Sequence, residues 1–288
     1  MKNYIKKPIL FLLVCLANTS FFSCQKELEF EKPKASQDLI IDGWIEQDRY
    51  ARVFLTKSAA YFDQIDSAKM VDLVVRFAKV TISDGQNTEV LTLKRDTAYF
   101  PPYYYQSTDI KGEIGKKYKL TVELSGKTYS SSTTITDPVN IENVSFSPAE
   151  GSLDKGFLKI QYQDPLGSNY YRLYTQRIGK DQDFNPVYFP TYHDGIFDGK
   201  KMTIQLVRGA KSNTEAEKNL FYEKGDSVMI KLTTIDKESY NFWRVADSRI
   251  YTSSNPFAIS TNELIGNVEN GLGIWSGYGT SYFLFVVK

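Results

Sequence analysis

The chain has 288 residues, with 35 basic against 34 acidic, and 14% of its residues are aromatic. That near-neutral balance excludes the basic stripe a nucleic-acid partner needs and the polybasic patch of a charge-held membrane protein. A single histidine, His193, excludes histidine-rich zinc chemistry, which takes several His or Cys ligands.

The chain opens with Lys2, Lys6 and Lys7, then an apolar run from Ile9 to Ala17 and the stretch Phe21-Phe22-Ser23-Cys24. This is the order of a secretory signal. A run of about nine residues is too short to span a bilayer, which takes roughly 20. A small residue directly before Cys24 resembles a bacterial lipoprotein cleavage site, so residues 1–23 are expected to be removed and Cys24 to be lipidated. Acyl chains contribute about 0.8 kcal/mol per buried methylene, and stable anchoring takes more than one chain. Removing residues 1–23 takes three lysines and no acids, leaving a net charge of −2, and it also removes Cys15. The mature protein then has no disulfide, and its stability must come from an apolar core.

Residues 24–37 read as an acidic tether. Its start, Gln25-Lys26-Glu27, resembles the export signal that carries Bacteroidota lipoproteins to the outer face of the outer membrane. Strand signals follow at short intervals. Leu39-Ile40-Ile41 precedes an Asp42-Gly43 turn signal. Arg52–Thr56, Val71–Phe77, Lys79–Ser83 and Val90–Leu93 continue the series. In Tyr118–Leu124 the alternation is strict, and Ser125-Gly126 turns the chain into Lys127–Thr134 as a hairpin. Asp137-Pro138 marks a seam. Beyond it Ile141–Phe146, Phe157–Tyr162, Tyr170–Arg177, Met202–Val207 and Val228–Thr233 read as strands, and 208–224 as a long polar loop. Asp236 is suited to cap a helix over 237–252, with Glu238 in its first turn and Phe242, Val245, Ala246 and Ile250 on one face. Tyr282–Val287 closes a sheet. The expected fold is all-β: a sandwich over 38–137, immunoglobulin- or transthyretin-like, and a β-rich domain over 138–288 with one α-helix near 237–252.

Several segments resemble one family. They are Leu39–Gly43, Gly112–Leu120, Asp164-Pro165, Asn169–Arg172, Asp194–Lys200, Gly225–Val228, Asn255-Pro256-Phe257, Gly266-Asn267-Val268 and Gly271–Tyr278. Together they resemble DUF4249, a family of uncharacterised Bacteroidota outer-membrane lipoproteins frequently encoded beside TonB-dependent receptors. The resemblance implies a lipid-anchored outer-membrane protein facing the cell exterior. It supplies no catalytic residues.

The site reading is accordingly sparse. His193 with Asp194 and Asp198 lacks the ligand set for zinc. Asp181, Asp183, Asp194 and Asp198 lack the regular spacing of a calcium loop and suit turns better. No nucleophile elbow is present. Gly271-Leu272-Gly273 lacks the third glycine of a dinucleotide loop and reads as a demand for unusual backbone angles or close packing. No metal and no cofactor is expected. The ligand-facing candidate is the aromatic segment Tyr99, Tyr103, Tyr104 and Tyr105, whose Pro101-Pro102 argues against a regular central strand. Tyr pairs broad apolar area with a polar tip. The expected function is a non-catalytic binding or accessory module at the outer membrane, beside a TonB-dependent receptor, for a small-molecule, glycan or peptide ligand and not nucleic acid. The alternatives are a surface hydrolase acting on glycans or peptides and an envelope-assembly protein.

Overall fold

The computed structural model describes residues 38–58, 71–97, 101–209, 220–252 and 263–288, with backbone only for 250–252. Cys24, the tether, Tyr99 and Asn255-Pro256-Phe257 lie outside the described residues, as does the side chain of Ile250. The strands are β1 (Leu39–Glu46), β2 (Tyr50–Lys57), β3 (Lys79–Ser83), β4 (Thr88–Val90), β5 (Thr92–Arg95), β6 (Tyr103–Lys111), β7 (Lys117–Leu124) and β8 (Lys127–Thr134). The second half adds β9 (Ile141–Pro148), β10 (Lys155–Gln163), β11 (Tyr170–Arg177), β12 (Asn185–His193), β13 (Lys201–Leu206), β14 (Tyr222–Glu223) and β15 (Ser227–Ile235). Helix α1 (Lys237–Thr252) and β16 (Leu272–Val286) complete the chain.

An eight-stranded sheet in the order β12-β11-β15-β16-β1-β2-β6-β5 runs through both halves. A four-stranded sheet, β4-β3-β7-β8, packs on its first half, and β9, β10, β13 and β14 pack on its second. Each pairing gives a sandwich, as the alternating sequence requires: residues i and i+2 of a strand share a face. The first core takes Ile41, Ile45, Val53 and Leu55 from the long sheet and Val80, Ile82, Leu120 and Val122 from the cover. The second takes Tyr171, Leu173, Ile230 and Leu232 against Leu158, Ile160, Ile204 and Leu206.

The seam at Asp137-Pro138 falls where the core changes, between Ile135 of the first cluster and Val139 of the second. β16 does not respect that seam. It lies parallel to β1 and antiparallel to β15. Trp275 fills the first core, while Phe283 and Phe285 pack against the second. Between them the segment joining the halves crosses the same face. At Gly279 an added Cβ would stand 1.9 Å from Thr136 O, so only hydrogen leaves room. Thr234 Oγ1 donates to Asp137 O at 2.7 Å, and Ser281 Oγ to Val139 O at 2.6 Å. Residues 36–288 form one compact unit.

The Ser125-Gly126 hairpin forms, with φ of 51° and 77° at its two central residues. Asp236 caps α1 as expected, its Oδ1 accepting from Ser239 N at 2.7 Å, and Phe242 and Val245 are buried. Four expectations need correction. Asp42-Gly43 is no turn: β1 runs on to Glu46, and Gly43 makes room for the Trp275 ring, 3.0 Å from where its Cβ would be. Val71–Phe77 is no strand; Leu55 and Leu73 instead join it to β2 by single backbone hydrogen bonds. β6 starts directly after Pro101-Pro102 and lies between β2 and β5, because the prolines precede its ladder. β12, unmarked by any alternation in the sequence, forms the sheet's edge.

Candidate functional site

The outer face of the long sheet, opposite the cores, collects the other residue of each alternating pair. β1 contributes Asp42, Trp44 and Glu46, β2 Arg52, β11 Arg172 and Tyr174, β15 Lys231, and β16 Tyr278 and Tyr282. Helix α1 adds Trp243 and Asp247, four residues apart and so on one face of the helix. Asp183 and Phe184 from the β11–β12 connection, Pro186 of β12, Asp48 and Arg49 between β1 and β2, Tyr50 of β2, and Gln106 and Lys111 of β6 complete the wall. Together these residues line a cleft of about 630 Å³, within the usual size of small-molecule sites.

Its floor holds two buried ion pairs. Arg172, 2% exposed, donates to both carboxylate oxygens of Asp247 at 2.5 and 3.0 Å. It also donates to Tyr174 Oη and Thr191 Oγ1, each at 2.8 Å, and its guanidinium lies 4.2 Å from the centre of the Trp243 ring. Burial opposes the charge of Arg172, but Tyr174 and Asp247 more than offset it and hold its pKa above the ordinary value. Lys231 pairs with Glu46 at 2.5 Å, and the rings of Tyr174, Phe184, Tyr278 and Tyr282 stand 5.5 to 5.9 Å from its nitrogen. Glu46 also accepts from Tyr282 and lies 3.4 Å from Arg49. Burial raises the phenol pKa of Tyr174, Tyr278 and Tyr282, so all three are neutral donors at neutral pH.

These groups are committed to one another. Drawing Glu46 away to hold a cationic ligand would leave Lys231 unpaired, and breaking a buried pair costs about 3–5 kcal/mol. Asp42 is the exception. Its carboxylate makes no hydrogen bond or salt bridge with the described residues. Its side chain is exposed to the cleft, with the cleft walls standing close around it. The water those walls displace raises its pKa from 3.8 to about 6, against the opposing pull of Arg172.

Of the tyrosines singled out from sequence, the three described ones, Tyr103, Tyr104 and Tyr105, do not line this cleft. Tyr103 lies under the guanidinium groups of Arg76 and Arg95. Tyr104 packs 5.5 Å from Phe54 with Arg52 over its ring. Tyr105 is in the first core, accepting from Ala78 N at 3.1 Å. His193 ends β12, edge-on to the Tyr240 ring at 5.6 Å. Asp164, Asp194 and Asp198 bring one oxygen each within 4.8 Å of the others, and those carboxylates tie loops together. Asp164 accepts from Tyr171 Oη and Gly199 N, Asp194 from Asn169 N, and Asp198 from Gly167 N. The cleft residues were missed because a charged residue facing out of a strand looks like ordinary solvated surface. The available signal was the alternation of Asp42, Trp44 and Glu46 with Ile41 and Ile45, hidden by reading Asp42-Gly43 as a turn.

The DUF4249 model, described as a domain of unknown function, matches residues 25–282. The chain belongs to this family. Several segments that carried the resemblance act together in the family fold. Asp164, Asn169, Asp194 and Gly199 build the loop clip just described, and Asn267 brackets Trp275, its amide donating to Trp275 O at 2.8 Å and accepting from Trp275 N at 2.9 Å. Gly273, at φ 107°, leaves no room for a Cβ beside Ile41 O. No curated protein matches the chain. Among solved structures, one titled "Anomalous substructure of Titin-A168169" aligns over 70% of this chain and 90% of its own, at 9% identity and a TM-score of 0.20. A score that low carries no argument about either fold or function.

Proposed function

We propose that the protein is a lipid-anchored, non-catalytic binding module of the outer membrane, held by Cys24 on the cell's exterior face beside a TonB-dependent receptor, and that the cleft on the long sheet is its ligand-binding surface. The observation that carries the reading is the cleft itself: rings around a floor whose buried charges are already paired. Such a floor is pre-organised to hold a ligand and offers little unspent reactivity. Anchoring would add to affinity by raising the local concentration of ligand at the receptor.

The hydrolase reading has one observation in its favour, the raised pKa of Asp42 beside Glu46 on the same face of β1. A glycoside hydrolase needs two carboxyl groups free to act as acid and as base or nucleophile, and Glu46 is already held by Lys231, Tyr282 and Arg49, so binding is favoured. The test is to purify the native lipoprotein from its membrane and identify what accompanies it by mass spectrometry. Recovery of a transport barrel, with a ligand released intact, is the expected result. Reproducible absence of any barrel would remove the accessory role, and a cleaved ligand would remove the non-catalytic one.

A further inference from the structure

The floor of the cleft restricts what kind of ligand it can take. It is made of β2, β1, β16, β15 and β11, and each of these strands is paired on both sides. Their backbone N–H and C=O groups are engaged in ladders, so an extended peptide finds no sheet edge to join, the usual source of main-chain recognition by a β-protein. Recognition here must come from side chains.

Those side chains do not select for charge. Five acidic and five basic residues line the cleft, and the deepest of them, Arg172 with Asp247 and Lys231 with Glu46, are paired. Besides those pairs the lining offers ring surface, the unbonded indole N–H of Trp243, the charges of Asp48, Asp183, Arg52 and Lys111 outside any salt bridge among the described residues, and the unbonded carboxyl of Asp42. Trp44 stacks on Phe54 at 5.7 Å and an interplanar angle of 22°, which fixes the plane of the indole. Tyr50 and Tyr282 leave 37% and 39% of their surface open. Asp42 stands two residues before Trp44 on the same face of β1. A flat ring beside a carboxylate suits a sugar: the C–H face of a pyranose lies against an aromatic surface, and two neighbouring hydroxyls can donate to the two oxygens of one carboxylate.

We infer that the cleft takes an uncharged oligosaccharide, one pyranose ring stacked on Trp44 and a pair of its hydroxyls donating to Asp42. The inference rests on reading the cleft as the ligand-binding surface. Arg172 lies within electrostatic reach of Asp42 and disfavours a cation at that position, so hydroxyl donors are the better partners.

The test uses the full-length chain in detergent. It is titrated, by calorimetry and tryptophan fluorescence, with neutral gluco-, manno- and xylo-oligosaccharides, with oligogalacturonates, and with a mixed peptide library. A neutral oligosaccharide is expected to bind saturably. Trp44→Ala should weaken that binding at least tenfold, and Trp44→Tyr should recover part of it. Asp42→Asn should weaken it severalfold, because the amide accepts through only one oxygen. Melting curves of all three variants should stay near the parent, which separates lost binding from lost folding. If oligogalacturonates bind in preference, or if the Trp44 and Asp42 variants bind the neutral sugar like the parent, the inference is overturned. If only peptides bind, and Trp44→Ala abolishes that binding, the sugar inference fails while the cleft remains the binding surface. If no probe binds, and the native protein carries no ligand by mass spectrometry, both fall.

Discussion

The two faces of β16 are a contrast within one strand. Its inward residues, Trp275, Phe283 and Phe285, serve two apolar cores, with Gly279 between them where the chain crosses. Its outward residues, Tyr278 and Tyr282, stand among Lys231, Glu46 and Arg172 in a cleft of paired charges. The inner face is stabilised by area removed from water, an effect without direction. The outer face is satisfied by specific partners, and each of its buried charges depends on one or two named atoms. Loss of a group on the first face leaves a void. Loss of a group on the second leaves an orphaned charge.

The largest test of that contrast is on the inner face. Trp275→Ala removes the largest fully buried side chain among the described residues together with its 3.1 Å hydrogen bond to Tyr118 O. A loss of about 3–5 kcal/mol is expected from urea unfolding. A loss below about 1 kcal/mol would mean that β16 does not hold the first core together.

Asp247→Ala tests the outer face. Arg172 is then left buried without its carboxylate, and a loss of about 3 kcal/mol or more is expected. The double variant Arg172→Met, Asp247→Leu removes both charges and should recover most of that loss, since buried pairs contribute little net stability compared with apolar replacements. No such recovery is available to Trp275→Ala. If the double variant is as unstable as the single one, the contrast between the faces breaks.

The smallest effect belongs to Asp42. Its folded pKa of about 6 lies above the ordinary 3.8. As pH rises through that interval the unfolded chain ionises first, so the folded state loses stability across the window and keeps the deficit above it. Asp42→Asn should therefore gain stability relative to the parent between about pH 4 and 6, hold that gain at pH 7, and show none near pH 3. The carboxyl faces cleft water, so the gain should be within about 1 kcal/mol. Melting temperatures of both proteins across pH 3 to 8 measure it, and an unchanged difference across the window would show that Asp42 is ordinarily solvated.

Much of the architecture could be read from local chemistry. Alternation in Tyr118–Leu124 with Ser125-Gly126 after it specified a hairpin, because period two and a turn tolerant of positive φ leave few other conformations. Asp236 ahead of a helical stripe specified α1. The candidate site was far less legible. Arg172 and Asp247 are 75 residues apart, and Lys231 and Glu46 are 185 apart. Nothing in either local sequence names the other, and the aromatic segment that did stand out, Tyr103–Tyr105, went into packing and stacking.

The residues by themselves determined the all-β class and the family to which the chain belongs, since these follow from short-range periodicity, turns and local motifs. Only the tertiary structure decided that one sheet serves both sandwiches and that its outer face is a cleft. A charge on a strand is surface or site according to what the neighbouring strands place beside it, and here those neighbours come from the opposite end of the chain.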